Sequence, residues 1–204
     1  MLVMLVFAFS CGKGPESSGI DLPKDSVTAA EKLKIQTATA RIEADLKEAG
    51  VSIKLDTVPV IVSDFGDHVT MGRCYQDSKG TPIAIVLSHA VLSFDAPDED
   101  FEPWYLTVLL HEIGHCYFNR EHEDDMIYPN GQMIFGKLAA HSREQGWGAL
   151  NPSVMNTSGE RNLLKVLRAY YVKEIAGLDR AHSWEHFAEY TPITLRAYDQ
   201  SSRY

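Results

Sequence analysis

His111, Glu112 and His115 are the residues whose types and spacing speak most directly of chemistry. They lie in the run His111-Glu112-Ile113-Gly114-His115. On a helix, residues four apart share one face, one turn above the other. Two imidazoles so placed can bind one zinc ion. Glu112 is offset around the helix and reaches a water beside the metal without being a ligand. The matching chemistry is metal-assisted hydrolysis, in which the metal lowers the pKa of water and the carboxylate takes its proton. The competing reading is a pair of core histidines bonded to backbone. The preceding Tyr105-Leu106-Thr107-Val108-Leu109-Leu110 argues against it, because that stretch is the buried helical frame such a site requires.

A catalytic zinc needs a third protein ligand and one open position. His122 is the first candidate, Asp124 or Asp125 the second, and Glu160 or Glu174 the third. From His111 to His122 the sequence resembles the metzincin metallopeptidases, closest to a bacterial lipoprotein-type group of relatives. In that family the helix continues past the second histidine, turns at a glycine and presents a third histidine. Here Asn119 stands at the turn, and one more residue than usual separates His115 from His122. Asn tolerates the left-handed backbone region that the turn requires. Ser153-Val154-Met155-Asn156 resembles the family's methionine turn, an apolar floor beneath the metal. Thr157 occupies the place where some members carry a tyrosine. Without the resemblance, Met155 would be a gap-filler in an ordinary loop.

The resemblance implies a Zn2+ cofactor, a peptide or protein substrate, and Glu112 as general base in amide hydrolysis. It also implies a zincin-like fold: a small mixed sheet packed on the active-site helix, with C-terminal helices. Zincins carry an edge strand before that helix, which aligns extended peptides. The segment 82–88 stands there in the sequence, and could equally be an interior strand. The rival functions are a non-catalytic zinc-binding surface lipoprotein and a metal-storage or sensing protein. His182 and His186, also four apart, sit beside Trp184 and Phe187 and read as structural or surface residues. His68, His89 and His141 follow no pattern.

The elements that must position this chemistry read as α+β. Segment 26–49 lacks Pro and Gly and reads as a helix, with Ser26 a possible N-cap and Gly50 its end. Segment 51–62 alternates β-branched residues and reads as strands. Segment 64–80 reads as loop, with a turn at Lys79-Gly80. Segment 82–88 reads as a strand, 104–118 as a strongly apolar helix, 162–175 as a second strong helix and 183–190 as a shorter one.

The chain has 204 residues, 45% of them hydrophobic, which suits one domain with a sizeable core. A formal net charge of −9 argues against a nucleic-acid binder, which would show a basic patch or stripe. The apolar run 2–9, then Ser10, Cys11 and the polar stretch 12–19, resembles a bacterial lipoprotein signal. The competing reading is a frayed apolar terminus. The resemblance divides the chain into a signal segment at 1–11, a flexible linker at 12–25 and a peptidase domain at 26–204. It implies an exported chain anchored to a membrane only through a lipid on Cys11; the chain is expected to be a monomer. Gly12 after the cysteine points to the outer membrane or cell surface. Cys74 and Cys116 would then meet an oxidising compartment and could form a disulfide, or remain two buried thiols.

Overall fold

A computed structural model describes residues 21–66, 70–93, 102–122, 154–155, 165 and 168–178. Within them lie four α-helices and a three-stranded mixed sheet, an α+β arrangement. The helices are α1 (Ala29–Glu48), α2 (His89–Ser93), α3 (Trp104–Phe118) and α4 (Arg168–Ile175). The strands are β1 (Val60–Val62), β2 (Gly72–Gln76) and β3 (Pro82–Leu87), in the order β1-β3-β2. Among the described residues no helix is long and apolar enough to cross a membrane.

Helix α1 buries Ile35, Ala38, Ile42 and Leu46, one stripe at helical spacing. Its N-cap is Thr28, not Ser26. Three residues after Thr28 stands Glu31, and the two form a reciprocal capping box that Ser26 has no acidic partner to make. Ser26 instead holds the end of β1, its N–H and hydroxyl both donating to the Val62 carbonyl. Gly50 takes φ of 88° just past the helix end, where a left-handed residue reverses the chain.

The alternating segment 51–62 is only partly strand. Residues Leu55–Thr57 form a 3₁₀ turn, and β1 covers the last three positions alone. The Leu55 N–H is taken by the Glu43 carboxylate and its carbonyl by the Tyr117 hydroxyl, so neither is left for a ladder. Burial holds the Tyr117 phenol above its usual pKa, against the hydrogen bond from Thr57.

The segment 64–80, expected as loop, contains β2. Its Gly-Arg-Cys-Tyr-Gln sequence carries no alternation of apolar residues; pairing with β3 makes it a strand. The Lys79-Gly80 turn closes this hairpin. Asp77 Oδ1 accepts both the Lys79 and Thr81 N–H groups at 2.8 Å, and Gly80 takes φ of 78°. These bonds hold the exposed Asp77 carboxyl below its usual pKa.

Strand β3 is the central strand, parallel to β1 and antiparallel to β2. Its residues from Ala84 to Leu87 are buried, as a strand covered on both faces should be. The segment 82–88 is therefore interior, and β2 is the edge strand beside α3. Helix α3 is apolar nearly all round because it is buried nearly all round, packing on β2, β3, α1, α2 and α4. Each fully buried Leu or Ile there contributes about 1.5–3 kcal/mol. Of the segment 162–175 only Arg168–Ile175 and Lys165 are described, α4 being the helical part. The expected helix at 183–190 lies outside the described residues.

Candidate metal centre

His111, Glu112 and His115 all lie on α3, with His111 and Glu112 buried and His115 half-buried. The helix ends at Asn119, which adopts φ 49° and ψ 36°, the one non-glycine residue at positive φ among those described. The N–H groups of Asn119 and Arg120 both reach the Gly114 carbonyl. This left-handed cap turns the chain back across the helix end and delivers His122 to the other two histidines. The helix runs on to Phe118, so the turn falls at Asn119, four residues after His115.

The three rings form a compact triangle, with centroids 4.7, 4.8 and 5.3 Å apart. His115 Nε2 lies 3.0 Å from His111 Nε2 and 3.2 Å from His122 Nε2. One ligand atom from each of the three falls within 4.8 Å of the others, a group able to hold a metal ion. No other such group occurs among the described residues.

The far nitrogens decide how this triangle is read. His111 Nδ1 lies 2.6 Å from the Val154 carbonyl oxygen, and His115 Nδ1 lies 2.6 Å from that of Arg120. A carbonyl only accepts, so both Nδ1 atoms carry the proton in the neutral rings. Nε2 is then the lone-pair nitrogen of each ring, and the two face one another at 3.0 Å, an arrangement that a shared cation would bridge. One proton could bridge one side of the triangle, but not two sides sharing His115. Nitrogens around a tetrahedral zinc with Zn–N of about 2.0–2.1 Å stand about 3.3 Å apart. Two sides of the triangle, at 3.0 and 3.2 Å, are close to that edge, the third lies within 4.8 Å, and imidazole nitrogens are donors that suit zinc among other divalent metals.

Met155 has no exposed surface and packs against Gly114 on α3. A Cβ added at Gly114 would stand 2.5 Å from Met155 Sδ, so only glycine allows the sulfur this close to the helix between the two histidines. Gly72 plays the same part on the other side. A Cβ there would meet Glu112 Oε1 at 2.6 Å and Val108 Cγ1 at 2.7 Å. The Glu112 carboxylate therefore rests against the edge strand.

A disulfide joins Cys74 on β2 to Cys116 on α3, next to His115 in sequence, with Cα atoms 5.5 Å apart. Gln76 adds a second tie, its Nε2 donating to the His115 carbonyl at 3.1 Å.

Glu174 does not join the histidines. Its buried carboxylate accepts the Val154 N–H at 3.1 Å. The role it does have, like that of the Val154 and Arg120 carbonyls, involves backbone atoms, which leave no mark on residue identity. His89 is occupied away from the centre, 2.7 Å from Glu31 Oε1 and 2.8 Å from Ser26 Oγ. Cys11, His68, Asp124, Asp125, His141, Glu160, His182 and His186 lie outside the described residues.

No protein-family profile matches the chain, and neither does any curated protein or solved structure. The centre is thus known by its geometry: three histidines close enough to share a metal ion.

Proposed function

We propose that the chain is a zinc-dependent peptidase of the metzincin-like, zincin type, in which His111, His115 and His122 hold the metal and Glu112 is the general base. One observation carries this reading: Nε2 atoms converge at 3.0 and 3.2 Å while Nδ1 of His111 and of His115 is committed to a carbonyl. When bound there, a zinc ion supplies a Lewis acid that brings the pKa of water to about 7 and polarises a substrate carbonyl.

The chain's own groups supply the rest. Ser88 donates to the Met71 carbonyl, so Met71, Arg73 and Tyr75 turn their backbone groups toward β3. The alternate residues Gly72 and Cys74 then turn theirs to the outer edge of β2. An extended peptide adding to that edge would lie across the face of Glu112. Glu112 takes the proton of the attacking water and passes it to the departing nitrogen. Its buried position costs desolvation free energy that a pure binding module or a metal store has no need to spend.

The reading extends to location. A Cys74–Cys116 disulfide is at home in an exported protein, which supports export; anchorage through Cys11 at the outer membrane or cell surface is proposed with it from the sequence resemblance. The experiment is cleavage of a mixed peptide library by the full chain. Cleavage should stop on removing zinc with a chelator and return on adding zinc back. A chain that binds zinc tightly yet cleaves nothing would be the non-catalytic surface protein instead.

A further inference from the structure

Each helix-borne histidine is oriented by a backbone carbonyl, and both carbonyls lead to the same residue. His111 Nδ1 donates to the Val154 carbonyl at 2.6 Å, and the Val154 N–H donates to Glu174 Oε2 at 3.1 Å. His115 Nδ1 donates to the Arg120 carbonyl at 2.6 Å, and the Arg120 guanidinium donates to the Glu174 carbonyl at 2.6 Å. Glu174 thus holds the Val154 peptide with its side chain and Arg120 with its main chain.

We infer that Glu174 is the positioning residue for both helix-borne histidines, fixing their tautomers and ring planes for the metal; this rests on the metal reading above. Three physical points support it. Glu174 has no exposed surface, and a carboxylate so placed is costly without donors. Its carbonyl lies in the last turn of α4, where helix carbonyls lack an intrahelical partner and are open to outside donors. Gly177 N–H is one such donor, at 3.0 Å, and Arg120 is another. The hydrogen bond to the far nitrogen of a metal-bound imidazole selects its tautomer and aims its ring. Glu174 anchors that partner for two rings at once, on α4, an element that carries no ligand itself.

The side-chain arm can be cut by mutation. Glu174→Gln keeps an acceptor oxygen at the Val154 N–H, whereas Glu174→Leu fills similar space without one. Zinc and cobalt(II) affinities of the full chain are measured by chelator competition, together with the visible spectrum of the cobalt form. Glu174→Leu should bind zinc about 10–100-fold more weakly, the range for loss of a partner behind the ligands. Its cobalt spectrum should change shape, while the Cys74–Cys116 linkage and cooperative unfolding persist. Glu174→Gln should stay within about 3-fold of the parent and keep its spectrum.

Wild-type affinity in Glu174→Leu would overturn the assignment. So would equal weakening in Glu174→Gln, because the acceptor would not then be what matters. Should Glu174→Leu not fold, Arg120→Ala at its half-buried site carries the test, with about 10-fold weaker binding expected and unchanged binding overturning it. If the parent chain itself bound neither metal, the metal reading would fall and this assignment with it, a result distinct from any difference among the variants.

Discussion

At the N-terminal end of α3, Glu102 lies without exposed surface between two arginines. Arg41 reaches it at 2.6 and 2.9 Å, and Arg168 at 3.0 Å. Arg168 in turn pairs with Asp45 at 2.7 Å. At the C-terminal end of the same helix three imidazoles turn their Nε2 atoms toward one another. Both ends are polar and largely buried; the first sets two cations against two carboxylates, and the second turns three imidazole nitrogens inward. Burial lifts the Asp45 carboxyl above its usual pKa, and the Arg41 charge opposes that rise. The cluster of imidazoles is built otherwise: Nδ1 of His111 and of His115 faces a carbonyl, and the Nε2 atoms face one another. Paired opposite charges hold helices together; three imidazole nitrogens turned toward one another could hold a metal ion.

That contrast can be broken at either end. The largest effect is expected at Glu112. Glu112→Gln should lower peptide cleavage by about 10³-fold or more, within the range for general acid–base groups. Zinc content and melting temperature should stay near those of the parent. Cleavage at the parent rate would remove Glu112 from the chemistry.

At the opposite end the effects should exchange places. Glu102→Ala should cost about 3 kcal/mol in denaturant unfolding, the lower end for breaking a buried ion network, because both arginines are partly exposed and can hydrate. Zinc affinity of the folded chain should not move. A loss of zinc affinity without a loss of stability would erase the distinction between the two ends.

The smallest effect belongs to the half-buried pair Glu31–His89. Burial tends to raise the Glu31 pKa, but hydrogen bonds from the Thr28 N–H and from His89 outweigh it and hold the carboxyl below its usual value. A carboxyl lowered in the folded state stabilises fully above its unfolded pKa of about 4.3 and loses that contribution as pH falls through the folded value. The contribution should be under about 1 kcal/mol. Comparing the acid unfolding of the parent with that of Glu31→Gln should show this difference above pH 5 and none at the acid extreme. A difference that grew toward acid pH would reverse the sign.

How much could be read from the sequence follows the reach of each interaction. His111, Glu112, His115, the Asn119 turn and His122 sit within twelve consecutive positions, where helix periodicity and one left-handed residue settle the geometry. Helix α3 was legible for the same reason, as a long apolar run. Strand β2 was not, because Gly72 and Arg73 are chosen by Glu112 and by the neighbouring Phe65 and Tyr75 rings rather than by strand alternation. Val60–Val62 kept its strand while 51–59 did not, since Glu43 and Tyr117, both distant in sequence, take the backbone groups of Leu55. The anchoring of the histidines was the least legible part. It runs through peptide carbonyls and the buried Glu174, across separations of 43, 20 and 54 residues. Glu174 stood out as a candidate ligand, but only the fold reveals that its carboxylate holds the Val154 peptide rather than joining the histidines.

The central claim is that three imidazoles share one metal, and zinc binding by the full chain and by His122→Ala tests it most directly. Equilibrium dialysis should find one zinc per parent chain. His122→Ala should bind at least about 100-fold more weakly, exceeding the effect of losing a partner behind the ligands. Unchanged stoichiometry and affinity in His122→Ala would contradict the claim and move the third ligand away from His122.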